Sequence, residues 1–215
     1  MLPAARNLTL ANSLFLGGMV LHNLSYPLAG AGGIWPAVFY LYYGALFVLA
    51  TWALSASRPW RAMISAAGVL VLCAGLANSY GPTPASALAV YVSSILYHLG
   101  MIIVLARYTF GARRVMTDVL LAATSLYLVL GSAFAALLAL IEWAAPGSFV
   151  AGTGAAIGWQ QMLYFSYVTL TTLGYGDILP VGSVAQSVTT FEAICGTLYT
   201  VILLSRLVGL HASRS

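Results

Sequence analysis

The chain has 215 residues, of which 61% are apolar and only 6% charged, with a formal net charge of +4 and a mean hydropathy of +0.96. Soluble domains carry about 25% charged residues, so neither a soluble globule nor a disordered chain fits these figures. The class that remains is an all-α polytopic membrane protein, long enough for about six spans of roughly 20 residues. Such spans must be helical, because in lipid the backbone polar groups can be satisfied only within the segment itself.

Six apolar stretches follow along the chain, at 8–29, 34–56, 61–80, 85–106, 118–142 and 183–209. The first carries Asn12, His22, Asn23 and Pro27. It can also be read as a signal peptide cut after Ala29-Gly30-Ala31, but its length favours a span. The basic residues are all arginine: Arg6, Arg58, Arg61, Arg107, Arg113, Arg114, Arg206 and Arg214. With six spans they all fall on one side of the membrane, which predicts that both termini are cytoplasmic. Scattered in ones and twos, they make no nucleic-acid surface. Cys73 and Cys195 lie inside apolar runs and read as small buried hydrophobes. Arginine without lysine, together with much alanine, suggests a GC-rich bacterium and hence a bacterial inner-membrane protein. The chain ends six residues after Gly209, so no cytoplasmic ligand-binding domain is expected in it.

The connection between spans five and six is far longer than the others. Its stretch 158–180 reads GWQQMLYFSYVTLTTLGYGDILP. A short amphipathic helix is predicted at its start, too short to cross a bilayer. A glycine-bearing segment follows, and then Pro180 and Gly182. This pattern predicts a re-entrant hairpin, a half-helix entering the membrane and extended backbone returning. Bare backbone at that depth is tolerated only where it lines a protein-enclosed, watery path.

Thr172-Leu173-Gly174-Tyr175-Gly176-Asp177 resembles the selectivity-filter signature of potassium channels. The wider stretch from Tyr164-Phe165-Ser166 to Pro180 resembles their pore helix and filter together. The spans on either side then resemble the outer and inner pore helices. The strong part of the resemblance covers about 118–209, and spans one to four resemble only the general layout of six-span cation channels. The resemblance implies a potassium-selective channel, six spans plus a re-entrant pore helix, assembled as a C4 homotetramer in lipid. It implies a four-helix domain at 1–107, a cytoplasmic linker at 108–117 and a pore domain at 118–215. Within the last, the pore helix is expected at 158–171, the filter at 172–177 and the inner helix at 183–209.

The chemistry asks for these residue types. A dehydrating cation needs oxygens at even spacing, and backbone carbonyls supply them when they point inward along a strand. Gly174 and Gly176 permit the positive-φ conformations this requires. The ligands implied are K+-facing carbonyls of Thr172, Leu173, Gly174 and Tyr175, with the Thr172 hydroxyl and with Gly176 completing the loop. Leu173 stands where valine is commoner, and its side chain is expected to pack behind the filter. Val168 stands where some relatives have a glutamate that pairs with the filter aspartate, so that pair is lost. Tyr164 and Phe165 occupy the place of a bracing tryptophan pair, and the Tyr164 hydroxyl is expected to hold Asp177. No organic cofactor and no metal other than K+ is implied.

In span six, Gly196 is either a bending point or a site of close helix packing. Thr197, Thr200, Leu204 and Val208 recur at three- and four-residue steps, and by position in the resemblance that face lines a water-filled cavity. Glu192 is an intramembrane acid, about 75–100° away from that face on a helical wheel. A hydrogen bond to Ser166, Thr169 or a neighbouring hydroxyl is the expected role, ahead of a place in the ion path. Span four holds no arginine or lysine, whereas steep voltage gating takes three to four charges per subunit. Weak or absent activating voltage dependence follows. His98 and His22 read as buried satisfied histidines, and His211 as solvated. Arg113 and Arg114 with Asp118 mark an interfacial linker.

Three rival readings fit the sequence less well. A cation transporter subunit would use the same hairpin, but such chains repeat it, and no second copy is visible. A non-selective cation channel is opposed by Tyr175 between two glycines. An intramembrane enzyme would need Ser132 beside His98 as nucleophile and base, and nothing in the pattern brings them together.

Overall fold

The computed structural model describes the chain apart from residues 1–4, 31, 55, 56, 113, 115, 155 and 213–215, and apart from the side chains of 5–7, 29, 30 and 210–212. The expectations for Arg6, Arg113, His211 and Arg214, and for a cut at Ala29-Gly30-Ala31, therefore lie outside the described residues. Among the described residues seven α-helices run in order: α1 (Ala5–Ser25), α2 (Trp35–Leu54), α3 (Arg58–Tyr80), α4 (Pro84–Gly111), α5 (Thr117–Ala144), α6 (Trp159–Leu170) and α7 (Ser183–Ala212). A 3-10 turn, Tyr26–Gly30, follows α1. Two short strands, β1 (Phe149–Ala151) and β2 (Ile178–Pro180), pair antiparallel with Val150 opposite Leu179.

Among the described residues five helices, α2 to α5 and α7, are long and apolar enough to cross a membrane, as in a multi-pass membrane protein. The first stretch forms the helix expected of it, 21 residues long, but is not among those five. Asn12, His22 and Asn23 lower its apolar content. The short helix expected at 158–171 forms as α6, twelve residues, Trp159–Leu170. The linker expected at 108–117 is shorter than that, because α4 continues to Gly111. The β1–β2 pair is a strand element that an all-helical expectation did not contain.

Local chemistry accounts for several boundaries. At the start of α4, Ser86 N–H donates to Thr83 Oγ1 at 3.0 Å and Thr83 N–H donates to Ser86 Oγ at 2.9 Å, with Pro84 in the first turn. This reciprocal cap satisfies two donors that a helix start leaves open. Before α6, Gly158 N–H donates to Gln161 Oε1 at 2.9 Å.

Two compact units divide the chain, Met1–Val129 and Leu130–Ser215, with the division inside α5. In the first, α2 crosses α3 where glycine faces glycine. A Cβ on Gly68 would lie 2.9 Å from the Gly44 carbonyl oxygen. The core there is aromatic: Phe15, Phe39, Tyr43, Phe47 and Tyr97 are all buried, and His22 stacks on Tyr43 with ring centroids 4.7 Å apart. Several of its polar groups are paired inside it, but both ring nitrogens of His22, expected to be satisfied, and the Asn12 amide are buried without a hydrogen-bond partner among the described residues. Tyr43 Oη and Ser94 Oγ are 2.8 Å apart, His98 Nδ1 lies 2.7 Å from the Ser94 carbonyl oxygen, and the Tyr108 hydroxyl donates to Asp118. Outside that core, Arg61 donates to the Trp52 carbonyl at 2.9 Å and lies 5.2 Å from the Trp52 ring centroid.

Candidate functional site

In the second unit the chain between α5 and α7 folds back on itself. α6 ends at Leu170, and its last carbonyls are met by the N–H groups that follow. Thr172 N–H donates to the Thr169 carbonyl and Leu173 N–H to the Val168 carbonyl, each at 2.9 Å, with Gly174 N–H reaching the same Val168 oxygen at 3.4 Å. These bonds satisfy helix-end acceptors that would otherwise be open. They also set direction. In a trans peptide the carbonyl points opposite to the next residue's N–H, so the carbonyls of Thr171, Thr172 and Leu173 are turned away from α6.

The backbone alternates in hand along this stretch. Thr172 has φ 58°, Gly174 φ 60° and Gly176 φ 78°. The two glycines take the left-handed region freely. Thr172 does not: a β-branched residue there is a true outlier, of the kind that costs about 1–3 kcal/mol and persists only where its surroundings over-determine it. Among the described residues no donor reaches the carbonyl oxygens of Thr172, Leu173, Gly174 or Tyr175. Leu173 and Tyr175 are 56% and 65% exposed, although Leu173 was expected to pack behind the loop.

The outer end of the loop is held from both sides. The Tyr164 hydroxyl of α6 donates to Asp177 Oδ2 at 2.8 Å, and its ring is parallel to that of Tyr175, with centroids 6.4 Å apart and planes 5° from parallel. Phe165 is buried and packs edge-on against Phe149. From the other side comes a segment that the motif gave no reason to single out. Gly152 N–H donates to the Asp177 carbonyl at 2.8 Å, and Val181 and Gly182 N–H donate to the Ser148 carbonyl at 2.9 and 3.1 Å. The β1–β2 pair lies between these bonds. Glu142, in the last turn of α5, closes the turn below it. Its carboxylate accepts from Gly147 N–H at 2.8 Å and from Phe149 N–H at 3.0 Å. The sequence signal for this clasp was present: an acid at the end of an apolar run, followed by Pro146-Gly147-Ser148.

On α7, Gly196 meets the end of α6. A Cβ there would lie 2.0 Å from the Leu170 carbonyl oxygen, so close packing alone accounts for the glycine. α7 is continuous through it. Thr197, Thr200, Leu204 and Val208 are all exposed in the single chain. The two threonine hydroxyls donate back to the carbonyls of Ala193 and Gly196, at 3.0 and 3.1 Å. With the proton so used, each oxygen offers the outside only lone pairs, which suits a cation rather than an anion. Glu192 is fully buried and bonded to Ser166 of α6. Ser132, weighed above as a nucleophile, sits 3.0 Å from the Tyr167 hydroxyl.

Known proteins share this part of the chain. Residues 115–210 match the model of a family described as "Ion channel". Over 79 residues the chain is 42% identical to the inward rectifier potassium channel Kirbac3.1 of Paramagnetospirillum magnetotacticum. The matched stretch makes up 35% of this chain and 23% of that protein, so the chain spans about a quarter of the length of the curated relative it matches. No solved structure matches significantly.

Proposed function

We propose that the chain is the subunit of a potassium-selective channel, four copies of which place their 172–177 loops around one axis. The observation that carries this is the alternating left-handed backbone at Thr172, Gly174 and Gly176, with carbonyls that no donor satisfies. Bare carbonyls at membrane depth are costly unless something takes the place of a donor, and a cation that has shed its water does so. Four loops supply rings of carbonyls from Thr172, Leu173, Gly174 and Tyr175, with the Thr172 hydroxyl at the inner end. Tyr164, Phe165 and Asp177 brace the loop. Thr197, Thr200, Leu204 and Val208 line the cavity below it, where the outward lone pairs of the two threonines favour a waiting cation. Gly196 is a close-packing residue and the point at which α7 bends if it opens. The exposed apolar residues of α7, among them Phe191, Leu198 and Val201, face neighbouring copies and lipid.

The first unit makes the activity only weakly voltage dependent. α4 carries no basic residue before Arg107 except His98, which is buried and bonded to its own helix. Such a group does not carry charge across the field. With the arginines on one side, the termini are cytoplasmic. The test is the reversal potential of the purified protein in a planar bilayer under opposed potassium and sodium gradients. A reversal potential near that of potassium is expected; one midway between the two ions, or the lack of any current, overturns the reading.

A further inference from the structure

Glu192 is the one acid that the ion path does not use and that no water reaches: its relative exposure is 0%. What surrounds it is sparse. From α6 it is met by Ser166, whose hydroxyl also lies 2.6 Å from the Gly131 carbonyl oxygen of α5. From α7 itself the thiol of Cys195, one turn on, is near enough to interact with it. Tyr167 of α6 turns its hydroxyl to Ser132 instead. No charged group faces the carboxyl among the described residues. Arg206 is fourteen residues along the helix, about 21 Å at 1.5 Å per residue. Glu192 Oε2 has no partner, and neither has the buried Thr189 Oγ1 one turn earlier.

Proton counting then decides the state. A serine hydroxyl has one proton to give, and a backbone carbonyl has none. Ser166 Oγ is within bonding distance of two oxygens, Gly131 O and Glu192 Oε1. Were Glu192 ionised, one of these contacts would set lone pair against lone pair. A buried carboxylate would also keep Oε2 without a donor, a costly arrangement in a low-dielectric site. Both contacts become hydrogen bonds only if the carboxyl brings a proton of its own.

We propose that Glu192 is a proton-binding site and a positioning residue. It stands as the neutral acid and donates to Ser166, which in turn donates to the Gly131 carbonyl, so that one bound proton ties α7 and α5 to α6. Two residues beyond Ser166, α6 presents the Val168 carbonyl that seats Leu173 and Gly174. When alkaline solution takes the proton to water, the Ser166 hydrogen turns to the carboxylate, Gly131 O loses its donor, and the seat of the loop loosens. The site itself does not depend on the channel reading; only its effect on flux rests on it.

The first measurement is infrared spectroscopy of the full chain in lipid at neutral pH. The carbonyl band of a protonated carboxylic acid is expected in the parent and in Asp177→Asn, shifted in D2O and missing in Glu192→Gln. No difference between parent and Glu192→Gln overturns the proposal. The second is potassium flux into proteoliposomes against pH. The parent is expected to lose about fivefold on going alkaline, the population shift for one lost hydrogen bond. Glu192→Gln, whose amide also donates to Ser166, keeps the neutral-pH flux and loses the pH response. A Glu192→Gln protein that responds to pH like the parent overturns the role in seating the loop. Should that variant fail to assemble, alkaline titration of the band in the parent decides, and a band that is missing at neutral pH is again fatal. The acid band in a parent that passes no potassium would leave the proton site standing and refute the channel.

Discussion

The two units differ in which polar groups they leave without a partner among the described residues: side-chain atoms such as those of Asn12 and His22 in the first, backbone carbonyls in the second. In Met1–Val129, the buried Tyr43, Ser94, Tyr97 and His98 bond one another or nearby carbonyls, and the helices meet on glycines and aromatic rings. In Leu130–Ser215, a run of backbone carbonyls is left without donors, and of α7 only Ala185, Glu192 and Gly196 are buried up to residue 209. The first buries most of its aromatic side chains within one chain, although the Asn12 amide and both His22 ring nitrogens are buried there without a hydrogen-bond partner among the described residues. The second leaves carbonyls without donors and apolar faces uncovered, which the proposed function fills with an ion and with further copies or lipid. Unsatisfied groups that the fold holds in place at a cost, such as the left-handed Thr172, mark where a protein does its work.

The comparison breaks most readily at the loop. Gly174→Ala or Gly176→Ala forces an L side chain into the left-handed region, at about 1–2 kcal/mol. Potassium flux in proteoliposomes is expected to fall to background with helix content by circular dichroism unchanged. Parent-like flux would mean that the loop is not the path. The mirror experiment is Gly68→Val, which drives a branched side chain into the α2–α3 crossing. A loss of about 3 kcal/mol is expected from such overpacking, read as a lower melting temperature, while the potassium-to-sodium ratio of the folded fraction stays the same.

Smaller effects sharpen the picture of the loop's outer end. Glu142→Gln weakens two charge-assisted bonds to backbone amides and is expected to cost about 1–2 kcal/mol. Hydrogen exchange at Gly147 and Phe149 should quicken, and so should inactivation during a sustained pulse. Tyr164→Phe removes one partly exposed bond to Asp177, worth about 1 kcal/mol, and should speed inactivation less. A Tyr164→Phe channel that inactivates like the parent argues against the brace. Least of all is expected from Arg107→Gln, whose activation curve should coincide with the parent's. Several gating charges per channel, measured by limiting slope, would contradict the proposed weak voltage dependence.

Much of this was legible in the order of residues. Apolar runs of span length had to become helices, since lipid leaves the backbone no other partner, and α2 to α5 and α7 lie within a few residues of the expected stretches. The short helix before Thr172 and the left-handed glycines after it follow from length and from the missing Cβ. Two features do not follow, and a third follows only in part. Thr172 is left-handed because α6 holds the N–H groups around it, against the preference of its own side chain. Glu142 and the β1–β2 pair clasp Asp177 across a gap of some 30 residues in the chain, and no local pattern encodes that register. Helical phase narrowed the partner of Glu192 to Ser166, Thr169 or a neighbouring hydroxyl, and the rotation of two helices about their axes selects Ser166, 26 residues away. Local chemistry chooses elements and backbone hand; which buried groups meet is chosen by packing, because helix phase and strand register are settled only when all the faces are filled at once.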